Sequence, residues 1–376
     1  MLEAHPDLKA SLDDPLPGYS FGQTALMLAA QQANRDMVDV LLRAGADINQ
    51  KSHWWAGPFH VLDGAMREPW LPSFLIGRGA VLGIHHAVQF GMVDDVRTML
   101  AADPALIHAR GGDGQLPLHF AQTVDMAEYL ISRGADINAR DIDHESTAGQ
   151  YMVRDRQPVA RHLVRRRAPT DVLMAAALGD MGVTRRILDA NPEAIRTTVS
   201  PHWFPMQDPR AGGSIYIWTL GAEKGAHEIA REFGHEDVFR ELMARTPPGL
   251  ALAVACLVED ETLLAEVASG APPSVPPEEH GRLLAAARRN GTKAIEMMLR
   301  LGWPADVRDA SGATALHWAA YHGNVAIVRQ MLERGAPVDV KDRTFDGTPF
   351  DWAEFASREG VLRPGADYPT VLQLLR

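Results

Sequence analysis

The sequence predicts an all-α repeat solenoid, a fold in which short helix–turn–helix units stack on one another. One observation is a phrase that occurs three times with small changes: "MVDVLLRAGADIN", "MAEYLISRGADIN" and "IVRQMLERGAPVD". A second is glycine spacing, because Gly45 and Gly79 stand 34 residues apart and Gly302 and Gly335 stand 33 apart. A period of about 20 to 50 residues is typical of repeat arrays.

Each element of the repeat has its own pattern. The turn and first helix are predicted by "GQTALMLAA", "GQLPLHFAQ", "GATALHWAA" and "GTPFDWAEF", and the second helix by the three phrases above. Apolar residues recur at three- and four-residue steps, as in amphipathic helices. The glycine after the second helix suits a left-handed C-cap. Neither helix could bury its apolar face alone, so neighbouring units must stack.

At these residues the chain resembles the ankyrin repeat family, whose repeat is a β-turn followed by two antiparallel helices. The resemblance covers nearly all of the chain and implies one elongated, curved array with turn or hairpin fingers. It also implies that His119 and His317, at the histidine of the family's turn motif, form hydrogen bonds within the turn.

We predict a single domain over residues 1–376 with about eleven repeats. Residues 201–212 are predicted to form an inserted finger loop. The predicted repeats are 19–51, 52–82, 83–110, 111–140, 141–170, 171–200, 213–246, 247–273, 274–308, 309–341 and 342–376.

Composition excludes several classes of protein. A chain of 376 residues with 46% hydrophobic content can build its core without disulfides or metals. The lone Cys256, in an apolar run, predicts a reducing compartment and a packing role. A net charge of -11 argues against nucleic acid as a partner. No signal peptide or membrane-length apolar run is present, which predicts a cytoplasmic protein with no membrane partner.

Two finger regions carry aromatic side chains that predict ligand contacts. "QKSHWWAGPFH" contains His53, Trp54 and Trp55, and the region around the insertion adds four further residues. Exposed aromatic side chains usually mark a contact site. The alternative is that the insertion and the tryptophan pair fold onto each other as a local core. The four residues of the insertion region are Trp203, Arg210, Tyr216 and Trp218.

A third finger, "IDHESTAGQYM", places Asp143, His144 and Glu145 where a turn motif is expected. These residues have three interpretations: acid–base catalysis, metal ligation, or a polar or solvated fingertip. No metal-binding spacing supports the second, so no metal is predicted. A complete metal site would need ligands from neighbouring fingers, for example His53 or Asp113.

Two further histidines are candidate catalytic residues. His86 has Met174 at the equivalent place in a segment that matches 88 residues later, so the scaffold does not require histidine there. If the seventh repeat is aligned on Gly234, His227 occupies a buried leucine position, and a buried imidazole needs a polar partner. A register shift of one residue would instead make His227 an ordinary turn histidine.

Two functions remain open from the sequence. The first is a recognition protein that binds a protein, peptide or small molecule in a concave groove, which the family resemblance implies only by analogy. The alternative is an acid–base hydrolase, lyase or cyclase with a pocket in repeats two to seven. No phosphate loop, nucleophile elbow or dinucleotide fingerprint occurs, so no cofactor is predicted. The oligomeric state is left open.

Overall fold

The computed structural model describes residues 9–18, 20–268, 275–359 and 363–376. Within these ranges the chain forms short helices joined by turns, and β-pairing is confined to isolated bridges, among them Arg140 with Thr147 and Arg308 with Thr314. The predicted helical repeat class is confirmed. None of the described helices has the length and hydropathy needed to cross a membrane.

Contacts group the chain into two compact bodies. The N-terminal body comprises residues 1–184 with 197–224, and the C-terminal body comprises residues 185–196 with 225–376. The single domain over 1–376, its repeat boundaries and the assignment of 201–212 as an inserted finger loop stay predictions. The repeats predicted at 19–51, 247–273, 274–308 and 342–376 each include residues outside the described ranges.

The α-helices before the insertion are Ala25–Gln31, Arg35–Ala44, Leu71–Gly77, Ile84–Gln89, Val93–Ala102, Val124–Ser132, Ala148–Met152, Gln157–Arg165, Val172–Leu178 and Met181–Ala190. Those after it are Ala226–Glu232, Glu236–Ala244, Pro248–Leu257, Glu261–Val267, Arg282–Arg288, Thr292–Arg300, Ala315–Tyr321, Val325–Glu333, Pro349–Arg358 and Tyr368–Leu374. Short 3₁₀ turns lie between them at Ser20–Gly22, Ala65–Arg67, Pro104–His108, Gly112–Gly114, Pro117–Phe120, Pro192–Arg196 and Pro277–Glu279, and a π-helical turn spans Ile217–Gly221.

Helix starts and ends follow the capping residues of the sequence. In the first helical pair, Thr24 accepts a hydrogen bond from the Met27 amide (3.3 Å) and Asn34 accepts one from Met37 (3.0 Å). Such N-caps satisfy amides that have no partner within the helix. Gly45 ends the second helix at φ 104°, the left-handed conformation that glycine adopts without strain.

The turn histidines join neighbouring fingers. In His317, Nδ1 accepts a hydrogen bond from the Thr314 amide (3.0 Å) and Nε2 donates to the Gly347 carbonyl (3.2 Å). His119 repeats this pattern with the Leu116 amide and the Ser146 carbonyl. The structural interpretation of both histidines is confirmed. Burial lowers the pKa of His119 to about 4, so its imidazole is neutral at pH 7.

Small and aliphatic side chains fill the helix interfaces. In the C-terminal body, Met298, Leu316 and Ile327 are fully buried, and Cys256 lies in the same core. Burial raises the pKa of the Cys256 thiol to about 12, so it is not a thiolate at neutral pH. The predicted packing role of Cys256 is confirmed.

Candidate functional site

The candidate site is built on the finger at residues 140–147, in the N-terminal body. The Asp141 carboxylate accepts hydrogen bonds from the amides of His144 (2.8 Å) and Ser146 (2.7 Å), and from the Tyr151 hydroxyl (3.0 Å). Glu145 adopts the left-handed conformation, with φ 44°. The tip is therefore a folded turn, and Asp143 and His144 within it are buried.

Glu145 fixes the inserted loop to this finger. Its carboxylate accepts hydrogen bonds from the Gln207 amide (2.9 and 3.0 Å to the two oxygens) and from the Asp208 amide (2.9 Å). Hydrogen bonds to an ionised acceptor are stronger than neutral ones. The structure thus gives this predicted catalytic residue a part in holding the loop.

Asp143 and His144 hold the following part of the loop. The Gly212 amide donates to the Asp143 carbonyl oxygen (3.0 Å) and to its carboxylate (3.2 Å). His144 Nδ1 lies 2.8 Å from the Gly213 carbonyl oxygen. Because a carbonyl only accepts hydrogen bonds, Nδ1 carries the hydrogen. The other ring nitrogen, Nε2, then faces the Asp143 carboxylate at 3.5 Å.

A third acidic residue, Asp113, reaches this cluster from the preceding finger. Its backbone carbonyl accepts from the amides of Ile142 (2.9 Å) and Asp143 (3.1 Å), so the two fingertips are joined directly. Among the described residues, Asp113, Asp143 and His144 form a group whose ligand atoms all lie within 4.8 Å of one another. The structure therefore brings together two predicted site residues and Asp113, which the sequence offered only as an example of a possible ligand.

Burial controls the charge of Asp113. It raises the pKa of this carboxyl to about 6; His144 opposes the shift and Asp143 adds to it. The Oδ1 atom of Asp113 is buried and accepts no hydrogen bond from the described residues.

A cleft of about 410 Å³ separates the finger from the insertion. One wall is apolar and the other is polar. Trp203, Phe204, Pro205 and Met206 form the apolar wall, and the polar wall includes Arg140, His144, Glu145 and Gln150. Phe204 is held against the buried Tyr216 in an edge-to-face contact, with ring centroids 5.3 Å apart. The apolar wall therefore rests on the folded interior of the N-terminal body.

The other predicted binding aromatics occupy different environments. Tyr216 is fully buried and donates a hydrogen bond to Asp171 (2.9 Å), so it packs inside the body. Trp218 is 56% exposed and its ring lies 4.7 Å from that of His144. Of these two residues, only Trp218 offers an open surface beside the cluster.

The tryptophan pair contacts the insertion. Arg210 lies 4.2 Å from the centre of the Trp55 ring and forms an ion pair with Asp208. Trp54 packs edge-to-face on Phe21, with ring centroids 4.7 Å apart. This arrangement matches the alternative in which the insertion and the tryptophan pair pack together. His53 is exposed and is not among the three grouped ligands.

His86 belongs to a separate cavity of about 250 Å³. Its Nε2 atom lies 3.1 Å from the Asp63 carboxylate, and its ring is 5.6 Å from that of His60. His85, in the same cavity, bonds to the Ala109 carbonyl (2.9 Å). The sequence did not single out His60 or Asp63, because no motif relates them to His86.

His227 lies in the C-terminal body and occupies the second position of the helix Ala226–Glu232. Leu316 holds the same position in Ala315–Tyr321, so His227 does stand in a leucine position. Its Nε2 atom lies 2.7 Å from the Thr246 hydroxyl, which itself donates to the Leu242 carbonyl (2.7 Å). Burial lowers the pKa of His227 to about 3, so the ring is neutral and is the donor to Thr246.

Paired helices, finger turns and turn histidines define the class as a helical repeat protein. A family model described as ankyrin repeats (3 copies) matches residues 226–342, and the ankyrin repeat model matches residues 21–53 and 113–142. The chain belongs to the ankyrin repeat family. Ankyrin repeats generally mediate protein–protein interaction.

The chain is similar to parts of much longer proteins. It is 34% identical over 94 residues to palmitoyltransferase Hip14 of Drosophila melanogaster, which covers 24% of this chain and 14% of that protein. It is 23% identical over 363 residues to the E3 ubiquitin-protein ligase KEG of Arabidopsis thaliana, covering 93% of this chain and 19% of the ligase. The chain therefore spans less than a fifth of the length of these two relatives.

Among solved structures, the chain is similar to the human ASB11 ankyrin repeat domain. The sequences are 15% identical, the TM-score is 0.27, and the alignment covers 79% of this chain and 98% of that domain.

Proposed function

We propose that the N-terminal body binds a short peptide segment of a protein partner in the cleft between the inserted loop and the finger at residues 140–147. The observation that carries this proposal is the cleft of about 410 Å³ with one aromatic wall and one polar wall. Small-ligand sites commonly have volumes of about 300 to 1,000 Å³, with apolar walls and a few placed polar groups.

The side chains of the two walls determine which kind of peptide segment would bind in the cleft. Trp203, Phe204 and Met206 favour an apolar side chain, because aromatic rings bury much area with few rotatable bonds and the flexible thioether adapts to the shape of its partner. Arg140 is exposed at the opposite wall and one of its N–H groups donates to the Glu145 carbonyl (3.0 Å). A guanidinium has five donors, so Arg140 can also bond to a carbonyl oxygen of the bound segment.

The hydrogen bonds of the inserted loop support this function. Glu145, Asp143 and His144 hold the loop at Gln207, Asp208 and Gly212 and at the adjacent Gly213. A wall that is already ordered loses little conformational entropy on binding. Trp218 extends the surface beside His144, and exposed tryptophan is common among residues that dominate binding energy.

We do not propose the acid–base enzyme. Two of its candidate residues, Glu145 and His227, already have structural partners: Glu145 holds the inserted loop, and His227 is neutral and bonded to Thr246.

The experiment is a random-peptide display selection on the full chain, followed by affinity measurements on the selected peptides. We expect Trp203→Ala to weaken binding by about tenfold or more, the effect of losing one dominant contact. The matched control is Trp70→Ala, since Trp70 is also partly exposed in the N-terminal body but packs on Phe74 away from the cleft lining. Equal affinity of both variants for the selected peptides would refute the proposed cleft.

A further inference from the structure

The cluster of Asp113, Asp143 and His144 has the composition of a metal-binding site. It offers two carboxylates and one imidazole from two neighbouring fingers, and the three ligand atoms lie within 4.8 Å of one another. Imidazole and carboxylate together suit zinc and other divalent first-row metals. Asp143 and His144 have side chains that are only 5% and 11% exposed, so the cluster is not a group of solvated surface acids.

The orientation of His144 fits metal ligation. Its Nδ1–H donates to the Gly213 carbonyl (2.8 Å), which leaves Nε2 as the nitrogen that faces the carboxylates. Metal-bound histidines almost always donate their other N–H to a carbonyl or carboxylate, because this bond fixes the tautomer and the ring orientation. The Gly213 carbonyl provides that bond to His144.

The distance between His144 and Asp143 also fits. Nε2 of His144 lies 3.5 Å from Oδ2 of Asp143, which is long for a hydrogen bond. With metal–ligand bonds of about 2.0 to 2.1 Å and a tetrahedral arrangement, two ligand atoms lie about 3.4 Å apart. The Asp113 carboxylate, whose buried Oδ1 accepts no hydrogen bond from the described residues, offers the third ligand group, within 4.8 Å of the other two ligand atoms.

We propose that Asp113, Asp143 and His144 bind a divalent transition-metal ion, with zinc as the best chemical match. Three protein ligands leave a coordination position for water or for a group of a bound molecule. The opposing explanation is that His144 and the two carboxylates form an ion cluster with one another, which needs no metal.

The test is a zinc titration of the full chain after chelator treatment, followed by calorimetry against a competing chelator. We expect one tight site per chain. Asp113→Asn should weaken that site by about tenfold or more, because an amide is a poor zinc ligand. This variant keeps the shape of the side chain and leaves the His144–Gly213 bond and the loop contacts in place.

A second readout is spectroscopic. Co²⁺ added to the wild type should give visible absorption bands of a site with nitrogen and oxygen ligands, and in Asp113→Asn these bands should weaken and shift, because one carboxylate ligand is lost. The matched control is His162→Ala, which removes a histidine 2.7 Å from the carboxylate of Glu128 at a site outside the cluster. It should leave both zinc affinity and the Co²⁺ spectrum unchanged.

Zinc binding of equal affinity in the wild type and Asp113→Asn, or a wild type with neither a tight site nor Co²⁺ bands, would overturn the proposal in favour of the ion cluster. Because the titration contains no peptide, its result does not depend on peptide binding in the cleft.

Discussion

The leucine position occupied by His227 gives a prediction that can be worked out in free energy. We consider His227→Leu, which places in Ala226–Glu232 the residue that Leu316 provides in Ala315–Tyr321. At pH 7 the variant loses a hydrogen bond to Thr246, at a cost of about 1 kcal/mol. It gains a buried aliphatic side chain, which stabilises by about 2 kcal/mol. Thr246 keeps its bond to the Leu242 carbonyl, so no hydroxyl hydrogen is left without an acceptor.

Acid pH lowers the stability of the wild type more than that of His227→Leu. The pKa of His227 is about 3 in the folded chain, against an ordinary value of 6.5. Between these values the unfolded chain binds a proton at this residue and the folded chain does not, so the wild type loses stability as the pH falls below 6.5. From pH 6.5 to pH 5 the loss is about 2 kcal/mol, at about 1.36 kcal/mol per pH unit. Leucine cannot titrate, so His227→Leu escapes this loss.

The measurement is hydrogen exchange by mass spectrometry on peptides covering Ala226–Glu232 and Glu236–Ala244 in the full chain. Comparing the two proteins at the same pH cancels intrinsic exchange rates and all other titrating groups. We expect the variant's advantage in opening free energy to grow by about 2 kcal/mol between pH 7 and pH 5. The control, His53→Leu, changes an exposed histidine and should show no such growth. An advantage that stays constant with pH would refute the buried, neutral state of His227.

Three further predictions follow from the contacts. Glu145→Gln removes the negative charge that holds the Gln207 and Asp208 amides. Hydrogen exchange of residues 205–213 should therefore indicate an opening free energy that is lower by about 1 kcal/mol. Unchanged hydrogen exchange would contradict the role of the carboxylate. Gly57→Ala should lower the thermal midpoint strongly, because a Cβ would overlap the Gly111 carbonyl oxygen. The control Gly79→Ala, which has open space around the new Cβ, should cost only about 1 kcal/mol. Cys256 should not react with a thiol reagent at pH 8 until urea unfolds the chain, because burial raises its pKa to about 12; rapid reaction of the folded chain would show that the thiol is accessible.

The repeat pattern predicts the fold well because the contacts that define it are local. The sequence motif around Gly45 recurs along the chain, and both this motif and the turn histidines make contacts within one or two repeats. The same alignment assigns His227 to a leucine position, and Ala226–Glu232 has that register. These contacts depend on periodicity, which a sequence displays directly.

The site is less predictable because its contacts join segments of different kinds. Glu145 and Gln207 are 62 residues apart, and the insertion has no repeat period that could place it on a particular finger. The sequence predicts that Tyr216 is an exposed ligand-binding residue, yet its hydroxyl donates a hydrogen bond to Asp171, 45 residues earlier. The proximity of Asp113 to Asp143 was predictable, since the two residues are 30 positions apart and adjacent fingers lie side by side.

The long separation between the finger and its inserted loop also bears on biosynthesis. Helical pairs such as Ala148–Met152 and Gln157–Arg165 close locally, whereas the contact between Glu145 and Gln207 requires 62 further residues to be made. At about 5 to 20 residues per second, the ribosome delivers Gln207 roughly 3 to 12 seconds after Glu145. During that interval the buried surfaces of Asp143 and His144 stand open on the nascent chain, so the cleft is completed only after the finger that supports it.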